Sequence, residues 1–344
     1  FVERPTDKAY EILIINTPPQ HGKECSDDTP VLTRNGWKNH GDLVVGDEVL
    51  NHFGEWVKVY HVFDKVMGDC KVTFTNGEEI YCHENHEWVV YDRATHREEI
   101  RETKYMETRF EEGGTEKKRG HRYRFQLPIK EFVKGDEKDL KVPPYVMGVW
   151  LGDGTNQANR ICASPKDIAV LDKCAEYYNV SSEAVHKDTG VIYRYYKGLN
   201  FDLRTYGMCE AKERREKHIP QEYLTASKRQ RLELLAGLID TDGYVDHKHN
   251  RIVFTTADEY LRFSFEELIA TFGWRTTTCE CKPILSTSGI QGRKTYWQIA
   301  FNPTIDVPCV LERKHLTEFS KQRKVAICNI ERVEPKQGNC ISVE

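Results

Sequence analysis

A chain of 344 residues, 39% hydrophobic and 30% charged with a formal net charge of −4, is long enough to bury a large core and to form two domains or more. No apolar run approaches the roughly 18–20 residues that cross a bilayer, and the N-terminus has neither the basic flank nor the cleavage site of a secretory signal, so a soluble cytoplasmic protein without a membrane partner is expected. The 11 cysteines are odd in number, scattered and free of any C-x-x-C pair, which favours reduced thiols over a disulfide framework or a zinc site, while the near-neutral charge excludes nothing about nucleic acid, since a basic face can hide in it.

The first predicted element is a β-branched strand at residues 12–15, "ILII", running into "PPQHGK". That turn, glycine and lysine look like the start of a phosphate-binding loop. Such a loop should go on to Ser or Thr for the magnesium ion and then to a helix; here Lys23 is followed by Glu24, Cys25 and a run of turn and strand signals. From Cys25, "DTPVLTRNGWKNHGDLVVGDEVLNHFGEWVKVYHVFDKV" alternates short Val/Leu-rich runs with Asn-Gly, Gly-Asp and Phe-Gly turns, the pattern of a compact all-β module. "CKVTFTNGEEIYCHENHEWVVYD" continues it with an Asn-Gly hairpin. The middle of the chain repeats itself: "RICASPKDIAVLDKCAEYYNV" and "RIVFTTADEYLRFSFEELIATFGW" each read as a short strand, a Ser/Thr-containing cap and an amphipathic helix. "GVIYRYYKGLNFDLRTY" and "GRKTYWQIAFN" read as long strands alternating Arg, Lys and Tyr, the types that reach phosphates and base edges, although an ordinary solvated sheet face has the same composition. A chain that begins at Phe1 and ends on "CISVE" is expected to be part of a longer reading frame.

"CSDDTPVLTRNGWKNHGDLVVGDEVL" resembles the amino-terminal block of an intein, and "NGEEIYCHENHEWVV" its second splicing block. The resemblance implies that the phosphate loop stops because another protein is inserted in it. It makes Cys25 the nucleophile that turns the Glu24–Cys25 peptide bond into a thioester, as a thiolate suits, and His86 the acid that protonates the leaving amide. Where the family has Thr, three residues before that histidine, this chain has His83, which would orient the peptide, bind the oxyanion or do neither. Taken without the flanking pattern, Cys25 is a small buried hydrophobe and "HENH" a solvated hairpin end or a two-histidine metal half-site. "AICNIERVEPKQGNCISVE" resembles the penultimate splicing block, with Cys340 an activating or relay thiol near the first junction. Asn339-Cys340 is then an interior pair rather than the carboxy-terminal junction, and residue 338 is Gly instead of the usual histidine. Trp88 matches a subgroup in which such a cysteine is itself a nucleophile, but that subgroup lacks a first-position nucleophile and this chain has Cys25.

"LELLAGLIDTDGYVD" at 232–246 and its weaker partner "YVMGVWLGDGTN" at 145–156 resemble the paired motifs of the LAGLIDADG homing endonucleases. In that family each motif is a helix, so Gly148 and Gly152 would let two helices pack closely at one-turn spacing. Asp153 and Asp242, 89 residues apart (242 minus 153), would hold Mg²⁺ between them. "EKHIPQEYL" resembles the segment whose lysine assists catalysis, which makes Lys217 that lysine or a plain surface lysine beside "AKERREK". "EILIINTPPQHGK" resembles the loop of phage terminase large subunits, which suggests such a host. The expected whole is a mixed fold: an all-β, horseshoe-like Hint splicing domain interrupted by an α+β LAGLIDADG endonuclease with pseudo-twofold repeats. Its segments are host 1–24, splicing domain 25–125 and 310–344, and endonuclease 126–309, acting as a monomer on double-stranded DNA of the intein-free host gene and on its own flanking host segments. The rival readings are a fragment of a P-loop packaging ATPase, which needs an acidic strand and a helix after Lys23, and an intein whose endonuclease has decayed to a DNA binder.

Overall fold

The computed structural model describes residues 25–51, 53–111, 123–128, 132–155, 158–209, 217–283, 294–319, 321 and 324–343; the loop-like stretch through Lys23 and Glu24 lies outside them. Short strands come first: β1 (Cys25–Ser26), β2 (Pro30–Thr33), β3 (Gly36–Asn39), β4 (Glu48–Leu50), β5 (Trp56–Val62), β6 (Val66–Phe74), β7 (Glu79–Cys82), β8 (Glu87–Asp92) and β9 (Arg97–Glu102), then the single turn α1 (Thr103–Met106) and β10 (Phe125–Gln126). There follow α2 (Pro144–Asp153), β11 (Arg160–Ala163), α3 (Ile168–Ala175), β12 (Val180–Val185), β13 (Ile192–Tyr196), α4 (Leu199–Arg204), α5 (Gln221–Leu224), α6 (Lys228–Asp242), β14 (Gly243–Asp246), β15 (Arg251–Thr256), α7 (Glu259–Ala270), β16 (Thr276–Cys281) and β17 (Tyr296–Phe301). The chain ends in β18 (Ile327–Asn339) and β19 (Ile341–Val343).

These elements form two compact units, one running up to Lys134 and resuming after Lys321, the other spanning Gly135–Lys321. The boundaries expected at 125/126 and 309/310 therefore lie at 134/135 and 321/322. The second shift has a visible cause, because the N–H groups of Val310 and Leu311 donate to Asp240 at 2.7 and 3.1 Å and hold that segment to α6.

In the first unit β1, β18, β6 and β7 close a barrel, beside the sheets β19-β5-β4-β2-β3 and β10-β8-β9. Alternation is visible along β6, where Cys70, Val72 and Phe74 are buried and the residues between them are half-buried, as expected of a strand with one face on a core. The Asn76-Gly77 turn into β7 holds Gly77 at φ 88°, a conformation that glycine adopts without penalty.

In the second unit the sheets β11-β13-β12 and β14-β15-β17-β16 accompany the helix pair α2/α6. α2 is buried on all sides from Pro144 to Leu151, and α6 starts on a capping box of Ser227 and Gln230. A Cβ on Gly148 would lie 2.2 Å from Leu234 O, and one on Gly237 2.3 Å from Tyr145 O, so the two backbones touch where a side chain would separate them. Two sequence expectations change. The long strand expected from "GVIYRYYKGLNFDLRTY" stops at Tyr196, because Gly198 turns at φ 91° into helix α4, which buries Leu199 and Leu203. The cap of the second repeat is Asp258, whose carboxylate accepts from the N–H groups of Tyr260 and Leu261, not a Ser or Thr.

Candidate functional site

Cys25 opens β1 opposite two strands, with Asn339 of β18 and Cys82 of β7 as its cross-strand partners. Gly338 permits this closeness, since a Cβ there would sit 2.1 Å from Cys25 O. His86 lies in the turn between β7 and β8, 5% exposed, with Nε2 4.0 Å from Cys25 Sγ. A residue so buried does not fit the solvated hairpin end. The turn is held by the His86 N–H donating to His83 O at 2.9 Å and the Asn85 N–H donating to His83 Nδ1 at 3.2 Å. With Nδ1 accepting, a neutral His83 ring carries its proton on Nε2. Among the described residues no three His, Cys, Asp or Glu side chains gather to hold a metal.

Cys340 follows Cys25's partner Asn339; it is 5% exposed, its carbonyl accepts from Phe63 N–H at 2.9 Å, and its Sγ lies 3.7 Å from Ile341 O. Asn339 is fully buried, with Oδ1 3.1 Å from Nδ1 of buried His40. Burial, first of all, pushes His40 down to about 4, so its ring is neutral near pH 7 and Nδ1–H is the donor. Asn339 Nδ2 has no hydrogen-bond partner among the described residues.

The second constellation stands at the C-terminal ends of α2 and α6. A Cβ on Gly152 would meet Thr241 Oγ1 at 2.1 Å and Asp242 Oδ2 at 3.3 Å, so the end of α2 lies against the second acid. Burial raises Asp153 to about 7, with the charge of Asp242 adding to it; burial also raises Asp242, against the pull of Lys217 and Lys314. Two carboxyl groups at the negative ends of two helix dipoles fit a hard divalent cation. With only two side-chain ligands, carbonyls, water or phosphate would complete its oxygen shell.

Lys217 is no plain surface lysine. Its Nζ donates to the carbonyls of Trp150, Gly152 and Gly154 at 3.0, 3.1 and 2.8 Å, and burial lowers it to about 8. An open cleft of about 840 Å³ adjoins it, bordered by Gly152, Asp242, Thr255, Tyr296 and Trp297. Sequence reasoning missed Lys314, whose Nζ donates to Gly243 O at the end of α6; the Lys-His pair at 217–218, repeated at 314–315, was the available signal. It also missed Asp240, a buried carboxylate that accepts from Tyr145 Oη at 2.8 Å as well as from the two backbone N–H groups. On β13, Arg194 is engaged with Asp172 of α3 and Glu183, which places it on the helix side of its sheet, while Arg160 lies over the rings of Tyr193 and Tyr195.

Residues 229–302 match the family model of the LAGLIDADG-like domain, a span that takes in α6, Asp242 and the sheet through β17. The chain is 29% identical over 368 residues to the replicative DNA helicase DnaB of Mycobacterium intracellulare, a match covering 96% of this chain and 57% of that protein. It thus spans little more than half of that relative. Among solved structures, the MchDnaB-1 intein overlaps 23% of this chain and 57% of its own at 30% identity, with a TM-score of 0.20. A mesophilic variant of the homing endonuclease I-DmoI overlaps 46% of this chain and 82% of its own at 12% identity, with a TM-score of 0.31. The terminase-like, phage host is corrected, since the relative that spans this chain is named a helicase. A six-residue loop motif is too short to tell one host from the other.

Proposed function

We propose that this chain, an intein carrying a LAGLIDADG endonuclease domain, removes itself from a P-loop ATPase of the replicative-helicase kind through Cys25 and cuts DNA between Asp153 and Asp242. The observation that carries the first half is the approach of Cys25 Sγ to His86 Nε2 at 4.0 Å from residues 61 apart in sequence. Cys25 Sγ attacks the carbonyl carbon of Glu24; the C–S bond forms, the C–N bond breaks, and the proton given up by the thiol is matched by one that His86 delivers to the departing nitrogen. His83, in the same turn, would donate to the oxyanion through Nε2–H, and Cys340 is a relay thiol beside the strand facing Cys25. Until the insert leaves, the loop that would cradle phosphates is interrupted, and the host cannot bind its nucleotide. The Asn339–Cys340 bond is read as interior, supported by the Phe63 N–H bond to Cys340 O and by the pairing of Ile341–Val343 with β5.

The second half is supported by one acid and one lysine at the end of each of two helices in backbone contact. Asp153 and Asp242 would hold Mg²⁺, which would supply an activated water and offset charge on the departing phosphodiester oxygen, and Lys217 and Lys314 lower the energy of the charged carboxylates. The substrate is double-stranded DNA of the uninterrupted host gene.

Dithiothreitol should release a fragment ending at Glu24 from the folded chain, and Cys25→Ala should prevent it; no thiol-dependent cleavage would sink the splicing half. Asp153→Asn or Asp242→Asn should abolish Mg²⁺-dependent cutting while DNA is still bound, and cutting retained by both single variants would remove the acid assignment. Binding without cutting by the unaltered chain would instead mark a decayed nuclease. A spontaneous product joining "HGKE" to "CISVE", seen by mass spectrometry, would move the junction to Asn339.

A further inference from the structure

We infer that Thr103 is a positioning residue for the chemistry at Cys25: its hydroxyl holds His86 in place against the nucleophile. This rests on the splicing reading above. Thr103 begins α1 and is fully buried. Its Oγ1 donates to His86 O at 3.2 Å, accepts from Trp88 Nε1–H at 2.9 Å and lies 3.6 Å from Cys82 Sγ, which uses the one donor and two acceptor positions of a hydroxyl. The backbone N–H of Thr103 donates to the same His86 carbonyl at 2.9 Å, so that carbonyl is held twice by one residue.

Each partner has a defined relation to the reacting pair. His86 is the acid itself. Trp88 sets its indole edge-on to the His86 imidazole, with ring centroids 4.7 Å apart at 73°. Cys82 is the cross-strand partner of Cys25. One hydroxyl therefore ties the strand that faces the nucleophile to the backbone of the acid and to the ring packed on its imidazole. A residue needed only to fill space here would do as well as valine, which has the same shape but no hydroxyl. Valine would leave the buried indole N–H of Trp88 without this acceptor and His86 O with one donor fewer, and both residues would be free to shift. Proton delivery in a site of this kind depends on placement at the sub-ångström level, where a 1 Å error is worth about 100-fold.

The test uses the full chain and the rate at which dithiothreitol releases the fragment ending at Glu24, measured across pH 5.5–9. Thr103→Val is expected to cleave roughly 10- to 100-fold more slowly, with a flattened pH profile because the displaced imidazole no longer supplies the proton. Thr103→Ser, which keeps the hydroxyl and loses the methyl, is expected to cleave near the unaltered rate with the original profile. A folded Thr103→Val with the unaltered rate and pH profile would overturn the inference. So would a folded Thr103→Ser that cleaves roughly 10-fold or more below the unaltered rate, which would make methyl packing the cause, and this arm decides even if valine prevents folding. No thiol-induced cleavage in the unaltered chain is a different failure, that of the splicing reading itself, and the inference falls with it.

Discussion

His40 enters the fold uncharged, and that makes it the residue through which acid should be felt. Its folded-state value of about 4 is set first by burial; Asn339 and Asp27 oppose the drop and Lys65 adds to it. In the unfolded chain it titrates near 6.5. Between those values the unfolded state binds a proton that the folded state refuses, so stability rises with pH. The contribution is complete above pH 6.5, shrinks as pH falls through the window, and below pH 4 the accumulated loss is roughly 3 kcal/mol. Thermal melting of the unaltered chain and of His40→Gln, followed from pH 7 to pH 4, should show a steeper fall for the former; parallel curves would refute the assignment. Cys25 and His86 were singled out in the sequence because their blocks resemble the splicing blocks of inteins, and the fold sets the two side chains 4.0 Å apart. His40 was not, since its partner Asn339 lies 299 residues away and nothing local marks the histidine. Thr103 and Asp240 escaped notice for the same reason, because long-range contacts define them.

At the scale of elements, the strongest dependence is that of α2 on α6. Gly148→Ala would put a Cβ 2.2 Å from Leu234 O and 2.9 Å from Leu238 N. Both are backbone atoms that cannot rotate away, so the helices must part, at about 1–3 kcal/mol or more. The expected result is a lowered melting transition for the Gly135–Lys321 unit and loss of DNA cutting, with thiol-induced cleavage at Cys25 unchanged. A Gly148→Ala chain that melts and cuts as before would show that the helices do not meet at this point. These helices were legible through the resemblance to the LAGLIDADG motifs, which implies a helix at each, and the four-residue spacing of Gly148 and Gly152 agrees with it. The strand after residue 190 was only half legible. The five residues Ile192–Tyr196, "IYRYY", are β-branched or aromatic apart from Arg194 and read as a strand, but "LNFDLR" was carried along with them although Leu199 and Leu203 stand four apart, the spacing of one helix face. Gly198 was the missed sign, a left-handed residue at which the pattern changes period.

For the whole molecule, the barrel is built from both sides of an interruption. β18, which comes after residue 321, pairs with β1 and with β6, and its Arg332 reaches Asp69 of β6, Glu84 in the His86 turn and Glu107 at 2.8, 2.9 and 2.8 Å. The sequence showed where the β pattern stops and resumes, but it could not show which side the connecting residues join, because contacts such as those of Val310 and Leu311 with Asp240 decide that. The two ends of the interruption are held together within the first unit: Gln126 bridges Ala326, and the Leu127 N–H donates to Val325 O at 2.8 Å. The segments on either side of the interruption are thus already paired at 126–127 and 325–326, so the barrel does not depend on the interruption to bring them together. Replacing residues 135–321 with a Gly/Ser linker should therefore leave the barrel folded, since none of its strands is removed and the entropic cost of closing a flexible loop grows only slowly with its length. The shortened chain should still release the fragment ending at Glu24 on addition of dithiothreitol, at a rate within a few-fold of the full chain, and should cut no DNA. A soluble, folded product that has lost thiol-induced cleavage would mean that the removed unit helps to build the Cys25 site, and an insoluble one that the barrel does not stand alone; either result would break the division of the molecule into a splicing unit and a separable nuclease.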